Sequence, residues 1–484
     1  MRDARATPEY PAACHDRQCE DGSVVLFSTA AVPFLSSVGV VLDPAGWAAR
    51  IPRHYKASLT IYQPQGAEGP DLAHPPNPDQ HHRHARDLAR YSEDEERTIW
   101  TNTLSLFELI NSHSSLTMPA APPESKVLVT GANGFVAIWI VRTLLVQGYS
   151  VRGTIRSPSK GTYLKEYFKA YGDKLELVVV PDIEAEGAFD EAVKGVSAIA
   201  HTASPYHYDA AEPAEIIDPA IRGTLSVLKS ALNGSSVKRI VYTTSTATMV
   251  RPTKTPLIFD ESNWNEYAIN EVKGKGRQAP GYLKYFASKT LAEKAMFDFH
   301  EKHKHEVGWD VASIAPPYVF GPMIHDVKSL EQANTSVLEW YHTMMKHPKL
   351  PPSGASAQPA NTPEGLVTLG NAWVDVRDLA KAQVRVIQRE EASGRIIVSA
   401  APFVWHDFLD VCRALQPPVY LLDEYVDLNP SYDPKKVVHL LNFDVSKAER
   451  VLGMGKTAKR GVDAYISIEK LTRDMLEDFK SRGW

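Results

Sequence analysis

The sequence Lys126-Val-Leu-Val-Thr-Gly-Ala-Asn-Gly-Phe-Val-Ala137 is followed by an apolar segment that ends at Gly148, and then by Ser150-Val-Arg-Gly-Thr-Ile-Arg156. The β-branched run Val127–Val129 is typical of a buried parallel strand. The mostly apolar segment Phe135–Gln147 predicts a helix, which Gly148 would end. A second strand is expected over Ser150–Ile155. Strand, glycine-rich turn, helix and strand in this order form a βαβ unit, which decides the fold class.

The turn after the first strand has the residues that a phosphate site needs. Gly131 permits the sharp turn out of the strand, and Gly134 lets the backbone approach a ligand phosphate. Ala137 keeps the following helix close to the sheet. The helix N-terminus offers unpaired N–H groups and the positive end of the helix dipole to an anion. The pattern predicts a dinucleotide site, and the alternative is a tight βαβ turn that binds no ligand.

The end of the second strand indicates which dinucleotide is bound. NAD enzymes of this kind usually carry an acid there for the ribose 2′-hydroxyl. This chain has Arg156, and Lys160 follows four residues later. Because two cations attract a 2′-phosphate, whereas a carboxylate would repel it, the sequence predicts NADPH rather than NADH.

The bulk composition is that of an ordinary globular protein. The chain has 484 residues, 43% of them hydrophobic and 23% charged, with a net charge of −5. This charge gives no reason to expect nucleic acid or an anionic membrane as a partner. Cys14, Cys19 and Cys412 form neither a disulfide framework nor a recognisable metal site. We therefore expect a reducing, cytoplasmic location and no bound metal.

Residues 1–117 differ from the rest because they show no strand–helix alternation. The tract Gln63–Arg97 is rich in Pro, His and charge, and it contains His81-His82-Arg83-His84. It is typical of a solvated, poorly structured segment, with metal binding as the alternative. Val24–Leu42 is apolar, but Pro33 and several polar residues interrupt it, which argues against membrane insertion. Met118 opens a segment typical of a natural start, so we expect 1–117 to be an extension that is disordered or lies outside the natural enzyme.

Strand and helix patterns continue to alternate after Arg156. They predict an α/β protein, a Rossmann fold with a doubly wound parallel sheet and helices on both faces. We expect one reductase domain over residues 118–484, with the nucleotide-binding sheet mainly in 124–320 and a smaller C-terminal substrate lobe mainly in 321–365 and 400–484. The predicted elements are helices over Gly161–Tyr171, Pro213–Leu232 and from about Gly187, and strands over Leu175–Val180, Val196–His201 and Val237–Ser245.

Asp182 follows the third predicted strand, at the edge of the sheet where open α/β sheets bind ligands. Its carboxylate could accept a hydrogen bond from the adenine amino group. The alternative is a structural role as the N-cap of the helix expected from about Gly187.

Two segments carry residues suited to carbonyl chemistry. Thr244-Ser245 ends the fifth strand, and Tyr285-Phe-Ala-Ser-Lys289 opens a predicted helix that runs to about His305. Residues four apart share a helix face, and an ammonium next to a phenol lowers the phenol pKa from its usual value of about 10. Tyr285 would then exchange a proton with a carbonyl oxygen that Ser245 orients, while Lys289 also holds the nicotinamide ribose. Taken alone, the spacing is common by chance and favours an ordinary amphipathic helix face, but its place downstream of a dinucleotide motif and a Thr-Thr-Ser strand end favours catalysis.

With these motifs the chain resembles the extended short-chain dehydrogenases/reductases. The similar branch contains dihydroflavonol 4-reductases and fungal NADPH-dependent aldehyde, ketone and methylglyoxal reductases, and the resemblance spans residues from about 124 to 480. The segments that carry it are Thr130–Ala137, Arg156, Asp182-Ile183, His201–Pro205, Val237–Ser245, Tyr285–Lys294, Pro316–Pro322 and Trp373–Lys381.

This resemblance implies a Ser–Tyr–Lys catalytic set and NADPH as the cofactor. The catalytic residues are then Ser245, Tyr285 and Lys289, although Thr244 could share the role of Ser245 because the family usually has Thr-Ser-Ser here. The implied cofactor-binding residues are Gly131, Asn133, Gly134, Phe135, Val136, Arg156, Lys160, Asp182, Ile183, Thr202, Ala203, Ser204, Tyr285, Lys289, Pro316 and Tyr318.

The sequence therefore predicts NADPH-dependent reduction of a small or medium-sized aldehyde or ketone by a monomer or homodimer. Candidates for a hydrophobic substrate pocket are Tyr206, Trp264, Phe320, Met323, Trp340 and Tyr341. One alternative is an NAD(P)-dependent 3β-hydroxysteroid or sterol dehydrogenase, against which Arg156 argues. Another is a non-catalytic NADPH-binding regulator, which would have no need of all three catalytic residues.

Overall fold

The computed structural model describes residues 41–42, 49–50, 121–204, 210–234, 236–346, 362–427 and 432–484. The chain divides into two compact units, Met1–Glu108 and Leu109–Trp484. In the first unit the structure describes two short antiparallel strands, Val41–Leu42 and Ala49–Arg50. The remaining predictions for residues 1–117, including those for the apolar run and the His cluster, lie outside the described residues.

The second unit is built on a parallel sheet of seven strands, as the βαβ pattern predicts. Numbered in chain order, the strands are β1 (Lys126–Val129), β2 (Ser150–Ile155), β3 (Leu175–Val179), β4 (Ala198–His201), β5 (Arg239–Thr243), β7 (Asp310–Ala315) and β10 (Gly394–Ile397). Across the sheet the order is β3-β2-β1-β4-β5-β7-β10, and all neighbouring strands run parallel. β2 and β3 are added on one side of β1 and the later strands on the other, so the strand order reverses between β1 and β4, where open α/β sheets bind ligands.

Helices cover both faces of this sheet because its central strands have consecutive apolar residues, which point to the two faces in turn. The helices are α1 (Phe135–Val146), α2 (Ser159–Tyr167), α3 (Ala214–Leu232), α4 (Glu266–Lys275), α5 (Gly281–His303), α6 (Thr335–Met344), α7 (Pro363–Thr368), α8 (Val376–Gln388), α9 (Trp405–Ala414), α10 (Ser446–Leu452) and α11 (Ile468–Ser481). Val127 and Val129 pack in one core with α1 and α8, while Leu128 packs in a second core with α3 and α5.

Short strands outside the main sheet form three smaller sheets in the described part of the second unit. A three-stranded sheet has the order β8-β9-β11, with β8 parallel and β11 antiparallel to β9. β6 and β12 form a parallel pair, as do β13 and β14. Their bounds are β6 (Leu257–Phe259), β8 (Tyr318–Phe320), β9 (Gly370–Asp375), β11 (Ala401–Val404), β12 (Leu441–Phe443), β13 (Met454–Gly455) and β14 (Asp463–Ala464).

The helix predicted from about Gly187 is wrong, because residues 187–195 form a series of turns. Gly187 and Gly195 both have φ of +69°, outside the helical region, so they bound the segment with bends. Phe189 and Val193 still bury their side chains in the second core. The helix predicted to reach Tyr171 ends at Tyr167 and is followed by a 3₁₀ segment, Lys169–Lys174.

Within the described residues, no helix is both long and apolar enough to cross a membrane. In the same part of the chain, no group of three or more His, Cys, Asp or Glu side chains is placed to hold a metal ion. Cys412 is a buried free thiol on α9. Cys14 and Cys19 lie outside the described residues.

Arg239 joins the sheet to the C-terminal end of α8. The side chain is 2% exposed, and its guanidinium donates to both carboxylate oxygens of Asp310. It also donates to the carbonyl oxygens of Val386, Arg389 and Glu390. One cation thus bonds three carbonyl oxygens at a helix end, and one of them, that of Arg389, also accepts from the N–H of Ala392.

We expect Arg239→Ala to lower the free energy of unfolding by about 2–4 kcal/mol, because it leaves Asp310 and three carbonyl oxygens without this donor. Urea denaturation followed by circular dichroism measures the change. The control is Lys238→Ala, which removes an exposed cation from the neighbouring position and should change stability by less than about 0.5 kcal/mol. Equal effects of the two substitutions would contradict the prediction.

Candidate active site

The turn after β1 places glycine where a side chain would not fit. Gly131 has φ of +64°, and a Cβ there would lie 3.3 Å from the Cβ of Ala203. Its N–H donates to Thr154 Oγ1 at 3.1 Å, which fixes the turn against β2. A Cβ on Gly134 would lie 3.3 Å from the carbonyl oxygen of Gly131. The turn therefore brings bare backbone to the start of α1.

The N-terminus of α1 is available to an anion. Gly134 is the N-cap, and neither a side-chain cap nor an acidic residue occupies the first turn. Phe135 and Ala137 are buried there, and Val136 is half-buried. The N–H groups of this turn and the helix dipole together favour a negatively charged ligand.

Thr130 joins the ends of β1 and β4. Its Oγ1 accepts from the backbone N–H groups of Thr202 and Ala203, both at 3.0 Å. The same hydroxyl lies 2.9 Å from Nδ1 of His201. Burial and the nearby Lys289 lower the pKa of His201 to about 3, so its ring is neutral. Sequence reasoning quoted Thr130 within a motif without foreseeing this role, which depends on contacts across 71 residues or more.

The two basic residues predicted to select NADPH lie exposed beyond the end of β2. Arg152, earlier on the same strand, pairs with Glu176 at 3.0 Å. Arg156 and Lys160 are exposed, and neither forms an ion pair with a residue that the structure describes. Both cations are therefore accessible to a ligand phosphate.

Asp182 is exposed at the end of β3, and its Oδ1 accepts from the N–H of Glu184 at 2.9 Å. No helix begins at this point, so the helix N-cap alternative is wrong. Ile183 packs on α3, where a Cβ on Gly223 would come within 2.8 Å of Ile183 Cδ1. These contacts place Asp182 at the sheet edge and give Ile183 a packing role.

A cavity of about 460 Å³, here called the first cavity, brings most of the predicted site residues together. Asn133, Arg156, Lys160, Asp182, Ile183 and Ala203 lie outside its lining. The predicted residues that line it are Gly131, Gly134, Phe135, Val136, Thr202, Ser204, Ser245, Tyr285, Lys289, Pro316 and Tyr318.

Tyr285 and Lys289 lie on the same face of α5, as their spacing predicts. Lys289 Nζ is 6.0 Å from the centre of the Tyr285 ring and 5.9 Å from that of Tyr242. Tyr285 is 7% and Lys289 6% exposed, so their interaction is little screened by solvent. Burial lowers the pKa of Lys289 to about 8, while the carboxylate of Glu293 opposes the shift. Lys289 is therefore still mainly cationic near pH 7.

Ser245 and its neighbour Thr244 point to different surroundings. Ser245 is half-buried at the first cavity, and its Oγ accepts from the N–H of Ala247 at 3.1 Å. A hydroxyl that accepts one hydrogen bond still has its own proton to donate. The Thr244 hydroxyl instead donates to Glu293 at 3.2 Å in the protein interior. This geometry favours Ser245 over Thr244 as the group that contacts a ligand.

The fold and the order of the motifs match a known family. A model of the NAD dependent epimerase/dehydratase family matches residues 127–400, more than half of the chain. The chain belongs to this family. Family membership confirms the predicted resemblance to the extended short-chain dehydrogenases/reductases.

Members of the family with assigned activities are similar to this chain. The ketoreductase azaE of Aspergillus niger is 37% identical over 342 residues, 68% of this chain and 92% of the relative. The putative NADPH-dependent methylglyoxal reductase GRP2 of Candida albicans is 34% identical over 302 residues, 60% of this chain and 82% of the relative. The solved structure of yeast methylglyoxal/isovaleraldehyde reductase Gre2 with NADPH covers 74% of this chain and 99% of its own, with a TM-score of 0.61 and 29% identity. These similarities confirm the predicted enzyme class, an oxidoreductase of this family.

A second cavity of about 310 Å³ adjoins the first. The two share four lining residues: Val250, Tyr282, Phe286 and Asn371. Its other lining side chains are mainly apolar or aromatic, such as Tyr267, Phe403 and Leu441, and Arg251 is the charged residue among those described. A ligand could therefore reach from Ser245 and Tyr285 into an apolar compartment.

Of the residues that the sequence suggested for a pocket, the five that the structure describes line neither cavity. Phe320, Met323, Trp340 and Tyr341 are at most 3% exposed and belong to the main core. Trp264 lies beneath Arg395, whose Cζ is 3.7 Å from the ring centre. Tyr206 lies outside the described residues. Sequence alone missed Tyr282 and Phe286, although both lie within one turn of Tyr285 on α5.

Sequence reasoning also missed Glu293, one turn after Lys289. Its carboxylate accepts from Ser313 at 2.6 Å and pairs with Arg395 at 3.1 Å, in addition to the bond from Thr244. Glu293 is fully buried, and Arg395 also donates to Thr248 Oγ1 at 2.8 Å. We call Glu293, Arg395, Thr244, Ser313 and Thr248 the Glu293 cluster. The signal available in the sequence was the regular four-residue spacing of Tyr285, Lys289 and Glu293.

We expect Arg395→Met to lower the free energy of unfolding by about 3–5 kcal/mol, because it leaves a buried carboxylate without its cation. Adding Glu293→Gln should restore part of the loss, since a neutral amide can accept from one of the Thr244 and Ser313 hydroxyls through its oxygen and donate to the other through its NH2 group. Urea denaturation of both single variants and the double variant measures the coupling. The exposed Arg277→Met is the matched control. If the loss of unfolding free energy in the double variant equalled the sum of the two single losses, the charge interaction between Glu293 and Arg395 would not be the cause.

Proposed function

We propose that this chain is an NADPH-dependent carbonyl reductase that reduces an aldehyde or ketone to the alcohol. The observation that carries the proposal is the meeting of Ser245, Tyr285 and Lys289 in one cavity with the glycine turn and the N-terminus of α1. Such a cavity combines a dinucleotide phosphate site with groups that orient a carbonyl and transfer a proton. The NADPH complex of Gre2 and the reductase names of the relatives support this reading.

The residues present fit NADPH. The bare backbone of Gly131 and Gly134 and the uncapped first turn of α1 suit the pyrophosphate. Arg156, accessible and without an ion-pair partner among the described residues, would pair with the 2′-phosphate, and Lys160 would support it. Asp182 at the edge of the sheet would face the adenine. Thr202 to Ser204, Pro316 and Tyr318 would line the remaining path.

The protein residues divide the proton chemistry between them. When bound, NADPH supplies the hydride for the carbonyl carbon. Ser245 donates a hydrogen bond to the carbonyl oxygen and so orients it. Tyr285 gives its proton to that oxygen, and the Lys289 ammonium stabilises the resulting phenolate. Lys289 would also hold the nicotinamide ribose, and Tyr285 would regain its proton from solvent before the next turnover.

The second cavity sets the substrate class in this proposal. A carbonyl group held at Ser245 and Tyr285 would direct the rest of the substrate past Tyr282 and Phe286 into the apolar compartment. Phe403 and Leu441, from the segments predicted for the substrate lobe, contribute to its wall. The volume suits a ketone or aldehyde with a hydrophobic body of roughly drug-like size or smaller.

We expect Tyr285→Phe to reduce kcat with NADPH and an aryl ketone at least about 100-fold, because the proton donor is lost. NADPH affinity should stay within about threefold, since little contact area changes. Absorbance of NADPH at saturating ketone measures kcat, and fluorescence titration measures binding. Tyr282→Phe removes a hydroxyl from the same helix and cavity and should change kcat less than about fivefold. A kcat retained in Tyr285→Phe would exclude the proposed acid.

We expect Arg156→Ala to weaken NADPH binding about 10- to 100-fold, because one charge-assisted hydrogen bond to the 2′-phosphate is lost. NADH binding should change by less than about twofold, since NADH has no such phosphate. Parallel fluorescence titrations with the two cofactors make the comparison. Lys165→Ala, which removes an exposed cation from the far end of α2, is the control for net charge. An equal loss for both cofactors would refute the role of Arg156.

The same assays separate the competing functions. Oxidation of 3β-hydroxysteroids with NAD and no reduction of simple carbonyls would support the sterol dehydrogenase alternative. Tight NADPH binding without turnover of any carbonyl or alcohol would support the regulator alternative.

A further inference from the structure

Glu339 is a buried carboxyl next to the first cavity that the mechanism above does not use. It lies on α6 and is 7% exposed. Its two oxygens accept from the hydroxyl of Tyr318 at 3.3 Å and 3.2 Å. Tyr318 in turn lines the first cavity together with Pro316.

No residue that the structure describes supplies a cation to compensate the charge of Glu339. Unlike Glu293, which pairs with Arg395, it forms no ion pair with a described residue. The described elements that pack around α6 are β8, α9, α11 and residues 422–427. Their titratable groups are Tyr318 on β8; His406, Asp407, Asp410, Cys412 and Arg413 on α9; Glu469, Lys470, Arg473, Asp474, Glu477, Asp478 and Lys480 on α11; and Asp423, Glu424, Tyr425 and Asp427 in the last segment. Of these described side chains, Tyr318 is the one that contacts the Glu339 carboxylate.

Neighbouring aromatic rings hold the ring of Tyr318 in place, so its hydroxyl can respond to a partner only by rotating its O–H bond. The ring stacks on Phe320 at 5.5 Å and meets the edges of Phe403 and Trp405, both at 6.1 Å. A phenol can donate or accept a hydrogen bond, and the partner's protonation decides which. An ionised carboxylate only accepts, whereas a protonated carboxyl can donate.

We propose that Glu339 is a positioning residue that controls, through its protonation, whether Tyr318 offers a hydrogen-bond donor or only an acceptor to a ligand in the first cavity. With Glu339 ionised, the Tyr318 proton is directed to the carboxylate. With Glu339 protonated, the carboxyl donates to Tyr318, whose own proton becomes available to a carbonyl oxygen. That oxygen belongs either to the nicotinamide carboxamide or to the substrate. The inference rests on the proposed function for the identity of these ligands.

The switch would operate in the physiological range. Burial raises the pKa of Glu339 to about 7, while the hydrogen bond from Tyr318 opposes the shift. Because the folded-state pKa lies above the usual value of 4.5, folding takes up a proton at this site between those values. The contribution of Glu339 to stability therefore falls as pH rises from about 4.5 to 7 and is constant above.

We expect Glu339→Gln to remove a pH dependence of ligand affinity that the natural chain shows. From pH 6 to pH 8, the Kd of NADPH or the KM of the ketone at saturating NADPH should rise about three- to tenfold more in the natural chain than in the variant. Glutamine imitates the protonated acid, so the variant should keep the tighter binding at both pH values. Comparing the two proteins at each pH cancels the titration of the cofactor phosphate. The Kd and KM arms identify which ligand accepts the bond.

Tyr318→Phe and Glu477→Gln complete the design. Tyr318→Phe leaves Glu339 in place and should give the weaker binding at both pH values. Glu477→Gln neutralises an exposed carboxylate on α11 and should retain the full pH dependence. The inference would be overturned if Kd and KM rose by the same factor from pH 6 to pH 8 in the natural chain and in Glu339→Gln. It would also be overturned if Glu339→Gln lost affinity equally at both pH values.

Failure of the proposed function gives a different result. In that case NADPH binding could still show the Glu339-dependent pH response while no carbonyl is reduced. Conversely, a reductase whose activity depends on Tyr285 but whose affinities ignore Glu339 would retain the function and exclude the inference. Thermal unfolding checks folding of each variant, and Glu339→Gln should lack the loss of stability between pH 5 and 7 that Glu339 contributes.

Discussion

The buried carboxylate of Glu293 determines where α5 sits on the sheet. It accepts from Thr244 after β5 and from Ser313 on β7, and it pairs with Arg395 on β10. A carboxylate without solvent needs a cation and full hydrogen bonding, because either alone leaves a large desolvation cost. Meeting that need fixes the rotation and height of the helix against three strands. The positions of Tyr285 and Lys289 relative to Ser245 depend on this one arrangement.

Parallel strands explain why the remaining site residues meet although they are distant in the sequence. The glycine turn follows β1, Thr202 follows β4, Ser245 follows β5 and Pro316 follows β7. All of these strands end at the same edge of the sheet, and β1 and β4 are adjacent where the strand order reverses. The Thr130 hydroxyl closes the gap between β1 and β4 by accepting two backbone N–H groups. The sheet thus supplies the proposed cofactor path, and the Glu293 cluster brings the proposed acid to it.

Local patterns predicted the elements well where local interactions decide them. The first helix was expected over Phe135–Gln147 and is found over Phe135–Val146, because its apolar composition and the glycines at both ends are local signals. The segment after Gly187 was predicted wrongly since its buried Phe189 and Val193 need only apolar contact, which turns satisfy as well as a helix does. The partners of Glu293 lie up to 102 residues away, so no local pattern shows them. The second cavity was missed for the same reason, as its walls come from six separate parts of the chain.

Two buried carboxylates in one site show how partners assign roles to identical side chains. Glu293 faces a guanidinium and two hydroxyls, so its charge is matched and its neighbours are held in place. Among the described side chains Glu339 faces a single phenol, so none of them offers a cation to offset the loss of solvation on ionisation. The first arrangement suits a fixed joint between helix and sheet. The second leaves a proton whose gain or loss costs little near neutral pH, and that proton lies one hydrogen bond from the cavity in which the carbonyl is proposed to bind.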